Sequence, residues 1–188
     1  MDASEKLISF TSERLYVRPV GRADLSALLE YQSDPEVVRY IPWPVRDRSQ
    51  VEEAIEKYQT LTKMEAEGDY LMLALCRRED DQVIGQINSM YRSAVNQSAE
   101  FGYVLNPRFG GNGYATEAAR ALVTALFATG KFHRIFAKMD ARNHASMKLC
   151  ERIGLRREAH FIEDEWFKGE WTDTLIYSAL KNEWPSRS

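Results

Sequence analysis

The spacing of apolar residues along the chain separates two kinds of segment. Apolar positions that alternate or run together between turn residues indicate strands, and positions that recur every three or four residues indicate helices. The last two strand-like segments flank "KG" and are predicted to pair with each other in an antiparallel manner. Seven segments have the strand pattern: "ERLYVRPV" (13–20), "YLMLALCRR" (70–78), "QVIGQINSMYR" (82–92), "SAEFGYVLN" (98–106), "HRIFAKMD" (133–140), "LRREAHFIEDEW" (155–166) and "EWTDTLIYSAL" (170–180).

Four other segments have the helical pattern. They are "GRADLSALLEYQSD" (21–34), a stretch that Ser49 opens as N-cap and that ends near Gly68, a stretch from about residue 113, and "NHASMKLCERIG" (143–154). The segment "YIPWPVRD" (40–47) is predicted to be a loop, because its two prolines each remove a backbone donor. This order of elements predicts one α+β domain over residues 1–188. Its sheet is expected to be mixed but mostly antiparallel, with six to seven strands flanked by about four helices.

The bulk composition narrows the class of protein. The chain has 188 residues, of which 44% are hydrophobic and 28% charged, as expected of a soluble globular domain. A net charge of −3 argues against a protein that wraps nucleic acid, and no apolar run reaches the roughly 18 residues of a membrane span. We therefore expect a cytoplasmic protein without nucleic-acid or membrane partners. The two cysteines and three histidines lack the spacing of metal ligands, so no metal site is expected.

A glycine-dense turn precedes the third predicted helix. Gly110, Gly111 and Gly113 surround Asn112 directly before it. The first amides of a helix have no intrahelical partner, and the helix dipole favours an anion beside them. Because glycine lets a phosphate approach these amides, the turn predicts a diphosphate site, with a tight turn that binds nothing as the alternative. The helix that follows has one apolar face, formed by Ala115, Ala118, Ala119, Leu122 and Leu126.

Two motifs in this region resemble those of the GCN5-related N-acetyltransferases. The run "RFGGNG" (108–113) is similar to the pyrophosphate loop of that family, Arg/Gln-x-x-Gly-x-Gly/Ala. The run "NHASMKLCERIGL" is similar to the second motif of the RimJ/RimL-type subgroup, with Leu155 in place of phenylalanine. Since "FGYVLNPRFGGNGYATEA", "RYIPWP" and "GEWTDTLIYS" also resemble this subgroup, the likeness covers nearly the whole chain. It implies a sheet that splays between the fourth and fifth strands, with acetyl-CoA in the gap.

The resemblance also implies which residues hold acetyl-CoA. Val104 and Leu105 would offer backbone groups to the pantetheine arm and the thioester. Pro107 fits this interpretation, because proline cannot continue a strand ladder where the strand must leave its neighbour. The residues that would line the diphosphate are Arg108, Gly111, Asn112, Gly113, Tyr114 and Ala115.

Three side chains are candidates for the chemistry. Glu100 would be the general base, because a glutamate at this point of the strand has that role in several members of the superfamily; a solvent-facing strand residue is the alternative. Asn143 would hydrogen-bond the pantetheine arm, or else only cap its helix. Ser146, one turn further, would donate a hydrogen bond or a proton to the departing thiolate, or else only pack on the sheet. Cys150 is interpreted as a core residue because it shares an apolar face with Leu149.

The amine that accepts the acetyl group is less well determined. A lysine amine titrates near 10.4 and an α-amine near 7.7–8.0, so freeing the lysine nitrogen at neutral pH costs roughly 3 kcal/mol more. A site with one modest base therefore favours the α-amino group of a protein or peptide. A small-molecule amine such as an antibiotic or polyamine is the alternative, and a non-catalytic CoA-binding module is a third. Homodimers are common among similar proteins, so a homodimer is possible here.

Overall fold

The computed structural model describes residues 9–185, and its central feature is an eight-stranded sheet in the order β1-β2-β3-β4-β5-β6-β8-β7. All neighbouring strands are antiparallel except β5 and β6, which are parallel. The predicted α+β class and the mostly antiparallel sheet are confirmed. The strands are β1 Phe10–Thr11, β2 Leu15–Pro19, β3 Tyr70–Arg77, β4 Val83–Ser93, β5 Ser98–Leu105, β6 Arg134–Asp140, β7 Arg156–Phe167 and β8 Glu170–Leu180.

Helices cover both faces of the sheet. They are α1 Leu25–Gln32, α2 Pro35–Val38, α3 Arg48–Tyr58, α4 Tyr114–Ala128 and α5 His144–Ile153. Side chains of α1 and α3 pack in one hydrophobic cluster with β3 and Val104, and we call this side the first face. Side chains of α4 and α5 pack in a second cluster on the opposite side, the second face. No helix within residues 9–185 is both long and apolar enough to cross a membrane.

The sheet opens between β5 and β6. These strands pair only where Ser98–Glu100 lies beside Arg134–Phe136. Beyond that point β5 stays paired with β4 as far as Leu105, while β6 stays paired with β8 as far as Asp140. The unpaired halves of β5 and β6 therefore border a gap, as the family resemblance implies for these two strands.

The structure corrects the prediction for the second helix. Helix α3 is capped by Asp47, whose carboxylate accepts the Gln50 N–H, and Ser49 lies inside the first turn. It ends at Tyr58, so the predicted extension to Gly68 is wrong. The polar periodicity continues past Tyr58, but Met64 is buried at 4% exposure in a loop that packs on the sheet. Tertiary burial outweighs helix propensity there.

Two short elements escaped the sequence analysis. Strand β1 has two residues, and α2 is a single turn that Asp34 caps and Pro35 begins. The predicted helix over 21–34 is also shorter, because a 3-10 turn over Arg22–Asp24 precedes α1. Elements of two to four residues are too short to produce a hydrophobic period, so the pattern does not reveal them.

Candidate active site

A cavity of about 280 Å³ lies where β5 and β6 part. It brings together the three predicted catalytic residues, Glu100 from β5 and Asn143 and Ser146 from the start of α5. Val104 borders the same cavity, as predicted for the pantetheine arm. Aromatic side chains from distant segments complete the wall: Tyr40, Trp43, Tyr70 and Phe167.

Glu100 and Ser146 reach this cavity from opposite faces of the sheet. Successive strand residues point to opposite faces, so Glu100 shares the first face with Val104. Ser146 lies on α5, which packs on the second face. The open part of the sheet is thus the place where groups from both faces can act on one bound molecule.

The Glu100 carboxylate is held by one neighbour. Arg92 on β4 donates from both Nε and Nη2 to Oε2 at 2.6 Å, and the Glu100 side chain is 22% exposed. Oε1 has no hydrogen-bond partner among residues 9–185, so one oxygen is available to a substrate. Burial, with contributions from Tyr58 and Glu100, raises the pKa of the adjacent Tyr70 to about 12. Tyr70 is therefore a neutral phenol in the cavity wall at ordinary pH.

Asn143 caps helix α5 with its side chain. Its Oδ1 accepts the backbone N–H of Ser146 at 3.1 Å, which leaves the Nδ2 donor for other partners. The capping role and a ligand contact can therefore coexist on one side chain. The Ser146 hydroxyl lies 3.3 Å from the hydroxyl of Tyr103 on β5. No sequence motif marks Tyr103, although strand alternation from Val104 places it on the second face with α5.

The glycine turn has the geometry expected of an anion site. Gly111 and Gly113 have φ values of 78° and 80°, which side chains with a Cβ rarely adopt. The first backbone bond of α4 runs from the Glu117 N–H to the Gly113 carbonyl at 3.0 Å. For the six N–H groups of residues 111–116, no acceptor is found within the described part of the chain. A diphosphate fits this run of donors at the positive end of a 15-residue helix.

A second cavity of about 650 Å³ lies beside this turn. Five of the predicted residues border it: Leu105, Gly111, Gly113, Tyr114 and Ala115. Since Val104 borders the first cavity and Leu105 the second, the two cavities flank consecutive residues of β5. Three arginines that the sequence analysis did not single out also line the second cavity: Arg14, Arg120 and Arg152.

Two predicted diphosphate residues lie outside that cavity wall. The Arg108 guanidinium is 2.7 Å from Glu30 of α1. The Asn112 side chain donates to the carbonyls of Phe109 and Gly110, which stabilises the turn from within. Contact between these two side chains and a ligand stays a prediction.

Arg14 and Glu117 fasten the turn to strand β2. The Glu117 carboxylate accepts bonds from Ser12 Oγ, from the Arg14 N–H at 2.7 Å and from Arg14 Nε at 2.8 Å. Arg14 Nη1 also donates to the Asn112 carbonyl at 2.9 Å. Burial by itself raises the pKa of Glu117, but the bonds from Ser12 and Arg14 outweigh it and lower this pKa. The charge of Arg14 thus offsets the carboxylate next to the anion site.

The charges in the wall of the first cavity are already paired. Besides the Glu100–Arg92 pair, Asp140 lies 2.7 Å from Arg142 and Glu165 lies 2.8 Å from Lys138. These are the three acidic residues that border the cavity. A polycation bound there would share each of these carboxylates with a cationic partner.

The loop that carries Trp43 is held by the terminal hairpin. Lys168, at the turn between β7 and β8, donates from Nζ to the Val38 carbonyl at 2.6 Å and to the Trp43 carbonyl at 3.2 Å. The indole N–H of Trp43 is buried and finds no acceptor within residues 9–185. A buried donor without a partner costs about 1–3 kcal/mol, so a ligand that offers an acceptor atom would relieve this cost.

Comparison with known proteins gives a consistent result. A family model described as "Acetyltransferase (GNAT) domain" matches residues 14–156. The uncharacterized N-acetyltransferase YnaD of Bacillus subtilis (strain 168) is 32% identical over 175 residues, covering 93% of this chain and 98% of its own. The crystal structure of a GNAT-family acetyltransferase from Bacillus anthracis has a TM-score of 0.81 at 30% identity, covering 93% of this chain and 99% of that one.

Two other similar proteins have names that specify an acceptor. The putative ribosomal N-acetyltransferase YdaF of Bacillus subtilis (strain 168) is 32% identical over 105 residues, which is 56% of this chain and 57% of its own. The spermidine N-acetyltransferase of Vibrio cholerae, solved in complex with CoA and spermine, has a TM-score of 0.74 at 19% identity. It covers 90% of this chain and 97% of that one, and at this identity the likeness is one of fold.

Proposed function

Because the chain belongs to the acetyltransferase (GNAT) family, whose model spans residues 14–156, we propose that it acetylates the N-terminal α-amino group of a protein or peptide. Membership makes the protein an N-acetyltransferase, and acetyl transfer to an amine is the reaction of the family. What we propose in addition is how acetyl-CoA is held, which residues take part in the reaction and which class of amine is acetylated.

Acetyl-CoA is the proposed donor, and its thioester supplies an activated acetyl group. The N–H groups of residues 111–116 would hold the diphosphate, because they lack acceptors within the described residues and lie at the start of α4. Arg120 and Arg152 add positive charge beside them, whereas the charge of Arg14 is offset by Glu117. Backbone groups of Val104 and Leu105 on the open edge of β5 would direct the pantetheine arm from one cavity to the other.

Glu100 is the proposed proton acceptor for the amine. It borders the cavity from the first face, and its Oε1 is unpaired within residues 9–185. Asn143 and Ser146 border the same cavity from α5. With the base on one face and the hydroxyl on the other, the amine would lose its proton on one side of the thioester carbon and the sulfur would leave on the other.

The pairing of the cavity carboxylates is the observation that carries the choice of a peptide acceptor. A polyamine is a polycation, and its several ammonium groups are bound best by carboxylates that have no other cationic partner. Here each of the three acidic residues in the wall already has a cationic partner at 2.6–2.8 Å. A peptide has a single α-amine followed by a carbonyl, which could accept from the Trp43 N–H once the loop over 40–47 shifts.

The basicity of the site supports the same choice. Arg92 occupies Oε2 of Glu100, so the site has one carboxylate oxygen to accept a proton. An α-amine with a pKa of 7.7–8.0 is partly neutral at physiological pH, whereas a lysine amine near 10.4 is almost fully charged. The α-amine therefore reaches the site as free base far more often, which favours a peptide N-terminus over a lysine side chain.

The test is a coenzyme A release assay with acetyl-CoA and a panel of amines. Binding is checked first: acetyl-CoA at about 100 times its Kd should raise the stability by about 2.7 kcal/mol, seen as a higher melting temperature. Turnover is then expected with peptides that have a free N-terminus and not with the same peptides blocked at that amine. Preferred turnover of spermidine or an aminoglycoside would favour the small-molecule alternative. A thermal shift without turnover of any amine would favour a CoA-binding module.

A further inference from the structure

The hydroxyl groups of Tyr103 and Ser146 form an isolated pair inside the gap of the sheet. They lie 3.3 Å apart although 43 residues separate them along the chain. Within residues 9–185, neither hydroxyl has another hydrogen-bond partner, and both side chains border the cavity that contains Val104 and Asn143.

The Ser146 hydroxyl makes no bond to the preceding turn of its helix, in contrast to two other hydroxyls of the described residues. Thr124 of α4 donates to the carbonyl four residues earlier at 2.8 Å, and Ser33 at the end of α1 does so at 2.7 Å. Such bonds to the preceding turn are the usual fate of helical serine and threonine hydroxyls. Ser146 is in the first turn of α5, and the residue four positions earlier precedes the cap Asn143. Its hydroxyl is therefore free to be oriented by Tyr103.

The position of Ser146 is fixed by its backbone. Asn143 Oδ1 accepts the Ser146 N–H, which anchors the first turn of α5 at the edge of the cavity. Tyr103 belongs to the half of β5 that has left β6, and its hydroxyl meets Ser146 of α5 on the second face. The pair therefore lies beside the place where the sheet opens.

Tyr103 keeps its proton under ordinary conditions. Burial raises the pKa of its hydroxyl, and the contact with Ser146 only partly opposes this. A neutral phenol donates one hydrogen bond, and a serine hydroxyl can accept one while donating its own. The proton of Ser146 is then directed away from Tyr103 and towards the cavity.

We propose that Tyr103 is a positioning residue that donates to Ser146 Oγ and thereby turns the Ser146 O–H onto the sulfur of coenzyme A. The inference rests on the proposed function, since it requires the thiol end of coenzyme A to lie in this cavity. The pair stabilises the thiolate by hydrogen bonding, while Tyr103 remains protonated throughout. Cys150 borders the same cavity, but its thiol is a weak donor and burial raises its pKa to about 12.

The test measures the thiol pKa of bound coenzyme A by ultraviolet titration of its thiolate. Tyr103→Phe, Ser146→Ala and the double variant are compared with Tyr177→Phe, which removes a hydroxyl bond to Glu151 of the same helix but does not border the cavity. Loss of a hydrogen bond to an anion should raise the bound thiol pKa by about one unit in both single variants. The value for kcat should fall about tenfold, with little change in the KM of acetyl-CoA.

The double variant decides whether Tyr103 acts through Ser146. We expect it to resemble Ser146→Ala alone, and Tyr177→Phe should leave the thiol pKa unchanged even if it melts earlier. An additive double variant, or a normal thiol pKa in Tyr103→Phe, would overturn the inference. If the wild-type protein binds coenzyme A but acetylates no amine, the proposed function fails, while the titration still reports on the pair.

Discussion

The two cavities on either side of Val104 and Leu105 are built in different ways. The one beside the glycine turn uses backbone N–H groups from a continuous run, residues 111–116. The one in the gap uses side chains from the loop over 40–47, from β3, β5 and β6, from α5 and from the terminal hairpin. The first presents its donors through local conformation, and the second gathers its side chains through tertiary arrangement.

This difference between the two cavities limits what family membership says about the substrates. A run of amides at the start of a helix binds diphosphate whatever the surrounding side chains are, provided that glycine allows the turn. The cavity in the gap changes whenever any one of its contributing segments changes. Family membership therefore establishes acetyl transfer to an amine but does not specify the amine.

The largest predicted effect is a loss of affinity for coenzyme A. A matched glycine variant separates the geometry of the turn from backbone strain in general. Gly113→Ala should raise the Kd of coenzyme A about a hundredfold, because a Cβ disfavours φ near 80° and the loss of two bonds to the diphosphate costs roughly 3 kcal/mol. Gly130→Ala is the matched control at the other end of α4, where φ is 76° and a Cβ would meet no atom within 4 Å. Both variants should lose stability, but only the first should lose affinity in calorimetry. Equal affinities would show that the amides do not bind the diphosphate.

The second predicted effect concerns Glu100 in the cavity of the gap. Glu100→Gln should lower kcat/KM for a peptide about tenfold at pH 6 and much less at pH 9, because free amine is scarce at low pH and a base then matters most. Its Kd for coenzyme A should not change. Glu158→Gln is the control, since Glu158 pairs with Arg134 at 2.7 Å outside the cavity. A pH–rate profile with the shape of the wild-type profile would remove Glu100 from the mechanism.

What the sequence predicted well is what depends on local pattern. The glycine turn, the start of α4 and the strands around the gap have short-range signals in the spacing of glycine and apolar residues. The predicted end of α3 near Gly68 is wrong because the sequence beyond Tyr58 keeps a helical composition. In the structure that stretch is a loop in which Met64 is buried. Such a contact between distant segments leaves no mark in a local window.

The candidate active site also contains contacts between distant segments that a local sequence pattern does not reveal. Arg14 supports the Asn112 carbonyl from 98 residues away, and Tyr103 meets Ser146 across 43 residues. Neither pairing has a motif, because each requires only that two segments distant in sequence become neighbours in the fold. Arg108 shows the converse case: the family pattern indicates the diphosphate, whereas in the structure its guanidinium lies 2.7 Å from Glu30.

The smallest predicted effect tests the support of the glycine turn. The pKa of Glu117 is lowered from 4.5, so the carboxylate adds stability above that value, and this stability disappears as the pH falls through the lower folded-state pKa. Glu117→Gln should therefore reduce the free energy of unfolding by about 1 kcal/mol at neutral pH, with a difference that shrinks in acid.

Glu30→Gln provides the comparison for Glu117, because contact with Arg108 also lowers the pKa of Glu30. That pair is more exposed, at 69% for Arg108 and 41% for Glu30, so water screens it and its loss should cost only a few tenths of a kcal/mol. Denaturant titrations of both variants at several pH values measure the difference. If the two losses were equal, or if the Glu117 loss did not depend on pH, the bonds from Ser12 and Arg14 would not be what stabilises the turn. The glycine turn would then keep its conformation without support from side chains. It would differ even more from the cavity in the gap, which consists of side chains from distant segments.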